Sequence, residues 1–473
     1  MKITFVRPNM HAGRSSDAMQ PLAFAVLKSL TPPDMDVALY DERVETVPLD
    51  EPTDLVAMTV ETYTARRAYQ LAAQFRRRGV RVVMGGFHPT FAPEECGLFA
   101  DAVLLGDAED LWPSVVTDAR RGRLRRVYSQ AGFPQLIGRP LPDRQLFAGK
   151  PYAPITLVQY RRGCRFNCDF CSIHAFYGTT LRQRGVREVC AEIERAGRRL
   201  VFFVDDNLFV DVPSSKELFH ALIPLGIRWC CQTSIDIARD PELVHLMARS
   251  GCSLALFGFE SLHRDNLRQM RKGWNVKWQS YERSIKVVHD AGIMIYGTFV
   301  HGYDHDTPRS FDDAVEFAIR HKFCLANFNP LTPTPRAPLY DRLASEGRLI
   351  YDRWWLDPRF RYGHATFHPR GMTATELTEG CWRARRAFNT ATATTRRFFA
   401  LRTTLSSARH ALAFLIVNAV SRREILSKQE RPLGGPEPLE IPATLPPLAA
   451  TPGDRGAALG AAWDNALSAE VTT

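Results

Sequence analysis

Residues 162–171 of the 473-residue chain read RGCRFNCDFC, and this stretch decides how the rest of the sequence is interpreted. It places Cys164, Cys168 and Cys171 in a C-x3-C-x2-C spacing directly after a strand-like run. Thiolates are soft ligands that suit both iron–sulfur clusters and zinc. Three cysteines would leave one iron of a four-iron cluster open to a further ligand, whereas a structural zinc site needs four protein ligands. His174 is close enough in sequence to make a Cys3His zinc site the main alternative.

The cysteine loop lies within a series of six strand-like runs that alternate with helical stretches. The runs are at 156–159, 200–204, 227–231, 253–257, 293–300 and 325–329. Six βα units predict a partial (β/α)6 barrel over residues 156–335, with its chemistry at the carboxyl ends of the strands. Because the loop follows the first of these strands, we expect it at the end of the barrel where active sites are found.

The residues before the barrel predict a second α/β unit. Strand-like runs occur at 3–6, 37–40, 55–60, 81–84 and 102–105. They predict a doubly wound parallel sheet over residues 1–130, with ligands bound at the carboxyl ends of its strands. A proline-rich linker is predicted at 131–155 and a helical C-terminal unit at 336–432. The composition of residues 433–473 predicts a disordered tail.

The cysteine motif resembles the signature of the radical S-adenosylmethionine (SAM) enzymes, C-x3-C-x-aromatic-C, with Phe170 at the aromatic position. In that family the open iron of a [4Fe–4S] cluster binds SAM, and reductive cleavage of SAM yields a radical that abstracts hydrogen from a substrate. Residues 204–207, VDDN, and 258–261, GFES, resemble the family's motifs for the amino group and the ribose of SAM. The resemblance implies SAM contacts by Phe170, Asp205, Asp206, Asn207, Glu260 and Ser261. From the residues alone, helix capping remains the alternative for both motifs.

A second resemblance lies in the N-terminal sheet, where residues 85–95 read GGFHPTFAPEE. This run is similar to the G-G-x-H-P-T-x-x-P-E-E motif of cobalamin-binding radical SAM enzymes, which include class B-type methyltransferases and anaerobic magnesium-protoporphyrin cyclase-like proteins. The resemblance implies that the sheet is Rossmann-like and binds cobalamin. The contacts it implies are Asn9, Thr62, Tyr63, Gly85, Gly86, His88, Pro89, Thr90 and Gly106. No D-x-H-x-x-G motif is present, so no histidine is expected below cobalt, and a structural role is the alternative for His88.

The two resemblances together predict the chemistry. We expect a radical SAM enzyme that reductively cleaves SAM and, with cobalamin, methylates an unactivated carbon of a small-molecule or lipid-like substrate. One alternative is a radical SAM oxidative cyclase or other oxidoreductase, with or without cobalamin. The alternative from another class is a non-enzymatic regulator that binds metal or cobalamin. The expected redox partner is an electron donor such as flavodoxin or ferredoxin.

The net charge of +10 is concentrated in one segment. Residues 381–432 hold eleven Arg or Lys against two acids, so the charge does not predict a specific nucleic-acid partner. The mixture of Arg, Phe and Leu there is typical of a peripheral membrane-surface helix, and a solvated helix face is the alternative. No apolar run is long enough to span a bilayer, and the charged N-terminus lacks the features of a signal peptide. We therefore expect a cytoplasmic protein with reduced thiols.

Overall fold

The computed structural model describes residues 1–277 and 279–448. The described residues divide into two compact units. The N-terminal unit comprises residues 1–14, 21–150 and 433–448, and the barrel unit comprises residues 15–20 and 151–432. The predicted linker at 131–155 thus lies mostly within the N-terminal unit, where the backbone N–H of Asp143 donates to the oxygen of Ala25 at 2.9 Å.

The N-terminal unit is built on one six-stranded parallel sheet. Its strands are β1 (Lys2–Arg7), β2 (Asp36–Asp41), β3 (Leu55–Thr59), β4 (Arg81–Gly85), β5 (Ala102–Leu104) and β6 (Val127–Tyr128). Its helices are α1 (Leu22–Ser29), α2 (Ala65–Arg77), α3 (Phe87–Phe91), α4 (Pro93–Phe99) and α5 (Trp112–Arg120). The order β2-β1-β3-β4-β5-β6 changes direction between β1 and β3, which opens a crevice at the carboxyl edge. The predicted doubly wound sheet is confirmed, and the short β6 extends it.

The barrel unit contains a second parallel sheet, in the order β7-β10-β11-β12-β13-β14. These strands are β7 (Thr156–Val158), β10 (Leu200–Phe203), β11 (Arg228–Thr233), β12 (Cys252–Glu260), β13 (Met294–His301) and β14 (Leu325–Pro330). A small antiparallel pair, β8 (Arg161–Arg162) and β9 (Arg182–Gln183), flanks the cysteine loop. Among the described residues β7 and β14 do not pair with each other, so the barrel is partial, as predicted.

Eight helices of the barrel unit connect or follow these strands in the described part of the chain. They are α6 (Ser172–Tyr177), α7 (Val186–Ala196), α8 (Val212–Leu222), α9 (Pro241–Arg249), α10 (Arg264–Gln269), α11 (Tyr281–Asp290), α12 (Arg309–Arg320) and α13 (Pro338–Ser345). Phe259 of β12 stacks on Phe299 of β13, with ring centroids 5.9 Å apart, and also contacts Phe317 of α12. Burying each ring contributes about 2–3 kcal/mol, so this aromatic layer holds the strand ends that carry the candidate site.

Three further helices follow: α14 (Ala374–Phe388), α15 (Ala391–Phe398) and α16 (Ala408–Lys428). Residues 336–432 are largely helical, as expected, but they belong to the barrel unit rather than forming a unit of their own. Two arginines explain this difference. The buried Arg385 side chain donates to the backbone oxygen of Phe328 at 2.9 Å. The fully buried Arg397 donates to the backbone oxygen of Cys324 at 2.7 Å.

The first residues of the predicted disordered tail are ordered, because residues 433–437 pack against the rest of the N-terminal unit. The N–H of Gly434 donates to the oxygen of Met10 at 2.9 Å, and Arg67 forms an ion pair with Glu437 at 2.5 Å. The remainder of the predicted tail from residue 449 onward lies outside the described residues. None of the helices in the described ranges has both the length and the apolar character needed to cross a membrane.

Candidate functional site

The three cysteines lie on the loop between β8 and α6, directly after the carboxyl end of β7. The loop begins at Gly163, whose φ of +91° is in the left-handed region. A Cβ atom at this position would lie 2.0 Å from the backbone oxygen of Thr180. Only glycine fits such a backbone conformation in so close an approach, so this residue fixes the path of the loop.

The three thiols influence one another electrostatically. Burial raises the pKa of the Cys168 thiol to about 12, Lys272 opposes this rise, and Cys171 and Cys164 add to it. Burial likewise raises the pKa of the Cys171 thiol, and Cys164 adds to that rise. Three neighbouring thiols, of which Cys168 is buried, bind a metal together as thiolates only when a positive group compensates their charge. A cationic metal cluster meets this requirement.

The ligand set favours a cluster over a structural zinc ion. Such a zinc ion needs four protein ligands, with sulfur atoms about 2.3 Å from the metal, and the loop supplies three cysteines. In an iron–sulfur cluster, by contrast, each thiolate binds a different iron. His174, the fourth ligand in the zinc alternative, has its Nδ1 3.2 Å from the backbone oxygen of Gly178.

Asp205 holds the chain just before the cysteine loop. Its Oδ2 accepts a hydrogen bond from the backbone N–H of Tyr160 at 3.0 Å, and its Oδ1 accepts one from Arg161 at 2.5 Å. The side chain is fully buried, and this burial raises the pKa of the carboxyl to about 7, although the two N–H groups oppose the rise. Asp205 therefore anchors the backbone beside the cysteine loop, and its contact with the amino group of SAM stays a prediction.

The next two residues of the same motif also contact the loop. Asp206 accepts a hydrogen bond from the backbone N–H of Gly163 at 2.7 Å. The amide nitrogen of Asn207 lies 3.7 Å from Cys164 Sγ and donates to Ser234 Oγ at 3.1 Å. Hydrogen bonds to a thiolate or to the backbone beside it hold ligand geometry. None of the three residues caps α8, whose N-cap is Asp211, so the capping alternative is wrong for this motif.

Replacing Asp205 by asparagine tests this positioning role. Asparagine keeps the size of the side chain but offers only one acceptor oxygen, so one of the two buried N–H groups loses its partner. We expect the free energy of unfolding to fall by about 1–3 kcal/mol, with less iron bound per chain after anaerobic reconstitution. Asp211→Asn is the matched control, because asparagine caps a helix as well as aspartate does. Equal iron contents in the two variants would contradict the role.

A buried ion pair lies on another side of the cysteine loop. Lys272 Nζ donates to Glu260 Oε1 at 2.7 Å, and both side chains are almost entirely buried. The ammonium lies 6.0 Å from the centre of the Phe170 ring, and Cys168 and Glu260 raise the pKa of Lys272 against its desolvation. The sequence alone assigns no role to Lys272, and its burial is explained by this partner, because lysines are rarely buried unpaired.

Glu260 has an unusual backbone conformation at the end of β12. Its φ is +63°, which is uncommon for a residue other than glycine and often marks functional sites. Helix capping does not explain it, since the N-cap of α10 is His263. The neighbouring Ser261 lines a cavity of about 160 Å³ together with His301 and Asp306. These positions confirm that the residues after β12 and β13 meet at one edge of the sheet.

The loop after β13 also contacts the cysteine loop. Tyr303 donates its hydroxyl hydrogen to Asp169 Oδ1 at 2.5 Å, and its ring meets Phe170 edge-on with centroids 6.5 Å apart. Asp306 accepts hydrogen bonds from the backbone N–H groups of Gly302 and Tyr303. The Tyr303 contact was not predicted, because no spacing rule connects residues so distant in sequence.

The residues expected to contact cobalamin divide into two groups. One group follows β1, β3, β4 and β5 at the carboxyl edge of the N-terminal sheet, and consists of Asn9, Thr62, Tyr63, Gly85, Gly86, Thr90 and Gly106. Gly86 has a φ of +108°, and a Cβ atom there would lie 3.1 Å from Thr59 Oγ1. The N–H of Gly106 donates to Thr90 Oγ1 at 3.0 Å, which joins two loops of this edge.

The other group is His88 and Pro89, which are buried within α3; Asn9 and Thr62 of the first group are buried as well. His88 has no exposed surface, and its Nε2 lies 3.0 Å from the hydroxyl of Tyr69 and 3.2 Å from Glu95. A ring held in this way supports the interior of the unit. The structure thus favours the structural alternative for His88 over a contact with cobalamin.

Comparisons with known proteins agree with this geometry. Residues 158–318 match the model of the radical SAM superfamily. Bacteriochlorophyllide d C-12(1)-methyltransferase of Chlorobaculum tepidum is 30% identical over 377 residues, which cover 77% of this chain and 81% of the relative. Hopanoid C-2 methylase of Rhodopseudomonas palustris is 25% identical over 349 residues, covering 71% and 66%. The structure of TsrM from Kitasatospora setae with cobalamin and a [4Fe–4S] cluster aligns with a TM-score of 0.59 at 17% identity, covering 73% of this chain and 75% of TsrM.

The chain therefore belongs to the radical SAM superfamily and, within it, to the family that contains this bacteriochlorophyllide methyltransferase. The resemblance of residues 162–171 to the radical SAM signature is confirmed. The protein is an enzyme, and its family assigns it a [4Fe–4S] cluster and SAM. The non-enzymatic regulator is thereby excluded.

Proposed function

We propose that this protein is a cobalamin-dependent radical SAM methyltransferase that methylates an unactivated carbon of a small-molecule or lipid-like substrate. The observation that carries the proposal is the presence, in one chain, of a three-thiol loop at the strand ends of a partial barrel and a parallel sheet with a glycine-lined carboxyl edge. A relative that shares 30% of its residues over most of both chains is a methyltransferase.

Cys164, Cys168 and Cys171 would hold the cluster, whose bound form supplies the electron for reductive cleavage of SAM. The chain's own residues prepare the place for it. Asp205 fixes the backbone ahead of the loop, and Asn207 directs an amide N–H toward Cys164. These hydrogen bonds orient the loop and its thiols for the cluster.

SAM contacts are proposed for Phe170, Asp206, Asn207, Glu260 and Ser261. The carboxylates of Asp206 and Glu260 suit the ammonium and the hydroxyl groups of the cofactor. Glu260 Oε1 is taken by Lys272, while no hydrogen-bond partner for Oε2 is found among the described residues. That oxygen can accept a hydrogen bond from a ribose hydroxyl.

Cobalamin is proposed to bind at the carboxyl edge of the N-terminal sheet, where it would carry the methyl group. Gly106 leaves the backbone of this edge open to close approach by a large planar ligand, since nothing lies within 4 Å of its Cβ position. Gly86 instead lets the chain after β4 pack closely against Thr59 and Val60, which fixes the path of this edge. The TsrM structure, which holds cobalamin, supports the assignment through its similar fold.

A glycine substitution tests the cobalamin site. Gly86→Ala adds a Cβ atom 3.1 Å from Thr59 Oγ1 on a backbone that L-residues rarely adopt. We expect at least a tenfold fall in cobalamin bound per chain, measured from the absorption spectrum of protein purified with added cobalamin. Gly122→Ala is the control, because Gly122 also has a positive φ but nothing within 4 Å of its Cβ position. Cobalamin binding by Gly86→Ala at the level of this control would argue against the site, and iron content should change in neither variant.

The substrate and partners follow from the same assignment. The named methyltransferase relatives act on a bacteriochlorophyllide and a hopanoid, which are both large, mostly apolar ring systems. We propose a substrate of comparable size and polarity, a one-electron donor such as flavodoxin or ferredoxin, and a peripheral membrane contact within residues 381–432. We place the protein in the cytoplasm because its ten cysteines are all unpaired thiols, which a reducing compartment maintains.

Labelled SAM separates methyl transfer from the alternative chemistry. Reconstituted enzyme with cobalamin, a reductant and SAM deuterated in the methyl group is incubated with bacteriochlorophyllide d or a hopanoid as probe. Deuterated methyl on a probe supports the proposal. An oxidised or cyclised probe beside 5′-deoxyadenosine, with the label left in methionine, would instead assign the cyclase or oxidoreductase alternative.

A further inference from the structure

The helix α16 turns an apolar side outward. One stripe along the helix consists of residues 408, 412, 415, 419, 422 and 426. The large apolar side chains on or next to this stripe are all exposed, and they are Leu412, Leu415, Ile416 and Leu426. The side chains that α16 buries are Phe414, Asn418 and Glu424. A helix that packs on its own protein normally buries its apolar side and exposes its polar side. The outward side of α16 is thus suited to contact with an apolar surface of another molecule.

Further apolar side chains are exposed in the segment just before α16. Phe399 and Leu401 are exposed there, and exposed fractions across the surface range from 51% for Leu415 to 78% for Leu401. We define the α16 patch as Phe399, Leu401, Leu412, Leu415, Ile416 and Leu426. Among the described residues these are six of the eleven large hydrophobic side chains that are exposed, and the other five are scattered. Single exposed hydrophobic residues are ordinary, whereas a concentration of them marks an interaction surface.

Buried polar contacts fix the rotation of α16 and therefore the direction of the patch. Asn418 Nδ2 donates to the backbone oxygen of Cys324 at 3.1 Å, and Asn418 Oδ1 accepts from Arg397 at 3.0 Å. Glu424 accepts the backbone N–H of Ser16 at 2.8 Å. Turning the patch inward would break the bonds that Asn418 and Glu424 make and leave the backbone N–H of Ser16 without this acceptor, which is costly.

The surroundings of the patch are positively charged. Residues 391–428 contain six arginines and one lysine but only one acid, Glu424, which is buried. Three arginines of this segment are exposed: Arg409, Arg422 and Arg423. Their guanidinium groups form no ion pair or hydrogen bond within the described part of the chain. A partner of this surface must accept apolar side chains and also supply negative charge.

We propose that the α16 patch docks on the surface of a membrane that contains anionic lipids, with α16 lying parallel to the membrane. Its leucine and isoleucine side chains would enter the boundary between headgroups and acyl chains, and the arginines would meet lipid phosphates. A second copy of the chain is a poorer occupant, because it would bring a like-charged surface into contact. Docking does not depend on the chemistry of the cluster, so either can fail without the other.

Vesicle flotation tests the docking with the full-length holoenzyme. We expect it to float with vesicles of phosphatidylcholine and phosphatidylglycerol, to bind them less as salt rises, and to bind phosphatidylcholine alone weakly. The variant Leu412→Ser/Leu415→Ser/Ile416→Ser should bind at least tenfold more weakly. A second variant, Arg422→Gln/Arg423→Gln, should lose about tenfold on anionic vesicles only. Leu200→Ser/Ile223→Ser removes two exposed apolar residues elsewhere and should bind like the unaltered chain.

Three outcomes would overturn the proposal. The first is a failure of the unaltered chain to bind anionic vesicles, and the second is undiminished binding by both patch variants. The third is a dimer in analytical ultracentrifugation that the triple serine variant dissociates, which would assign the patch to a contact between copies. Formation of 5′-deoxyadenosine from SAM should stay unchanged in every variant. Loss of this activity in the triple serine variant would indicate misfolding. Vesicle binding by Arg422→Gln/Arg423→Gln would then test the docking independently.

Discussion

Replacing any one of Cys164, Cys168 and Cys171 by alanine is expected to abolish SAM cleavage and reduce the iron bound after reconstitution from about four atoms per chain to nearly none. The cluster loses one of only three protein ligands. Burial raises the pKa of the Cys168 thiol to about 12 and also raises that of Cys171, so these two thiols need the charge of a complete cluster to bind as thiolates. The measurements are iron and sulfide content, the visible absorption spectrum and 5′-deoxyadenosine formed under dithionite.

Cys190→Ala is the matched control for the three ligand variants. Cys190 lies in the same unit, where it packs against the hydrophobic core and its thiol donates to the backbone oxygen of Ala221 at 3.8 Å. Its replacement should leave iron content and SAM cleavage within experimental error of the unaltered chain. If a ligand variant retained a full cluster, or if zinc filled the loop to the exclusion of iron, the assignment of these thiols would be wrong.

The layout of the fold could be predicted because the signals for it are local. Alternating strand and helix patterns are enough to indicate parallel sheets, and parallel strands necessarily bring their carboxyl ends to one edge. The cysteine loop after β7, residues 204–207 after β10 and residues 258–261 in and after β12 therefore had to lie near one another. No side-chain detail is needed for that inference.

The roles of single residues at this edge could not be predicted, since they depend on which backbone groups lie opposite. Asp205 and Asp206 are adjacent carboxylates that the family pattern assigns to SAM. In the structure both oxygens of Asp205 are taken by backbone N–H groups, whereas Asp206 binds Gly163. The ion pair of Lys272 could not be predicted either. Its partner Glu260 is twelve residues away in the sequence and has an unusual backbone conformation.

The C-terminal helices show where a count of charges misleads. Arg385 and Arg397 were counted with a basic surface, yet both are buried and donate to backbone oxygens of the barrel unit. The apolar residues of α16 are distributed around the helix, so its sequence does not say which side faces inward. Asn418 and its buried partners decide that question, and only a structure reveals them.

Gly163→Ala is expected to have the second large effect, since it places a Cβ atom 2.0 Å from the backbone oxygen of Thr180. A backbone oxygen cannot turn aside as the end of a side chain can, so the loop itself must move. The left-handed φ of +91° adds strain of about 1–2 kcal/mol for any residue other than glycine. The loop then no longer presents its thiols at one place, because Cys164 follows the altered residue directly.

We expect Gly163→Ala to fold but to retain less than a tenth of the iron bound by the unaltered chain, with a matching loss of 5′-deoxyadenosine formation.

Gly178→Ala is the control that separates backbone strain from steric conflict. Gly178 ends α6 just beyond the same loop and also has a positive φ, of +60°, yet nothing lies within 4 Å of its Cβ position. It should lose about 1 kcal/mol of stability and keep its cluster. If both variants lost the cluster equally, strain alone would explain the result. If Gly163→Ala kept its iron, the close approach to Thr180 would not be what holds the loop in its cluster-binding form.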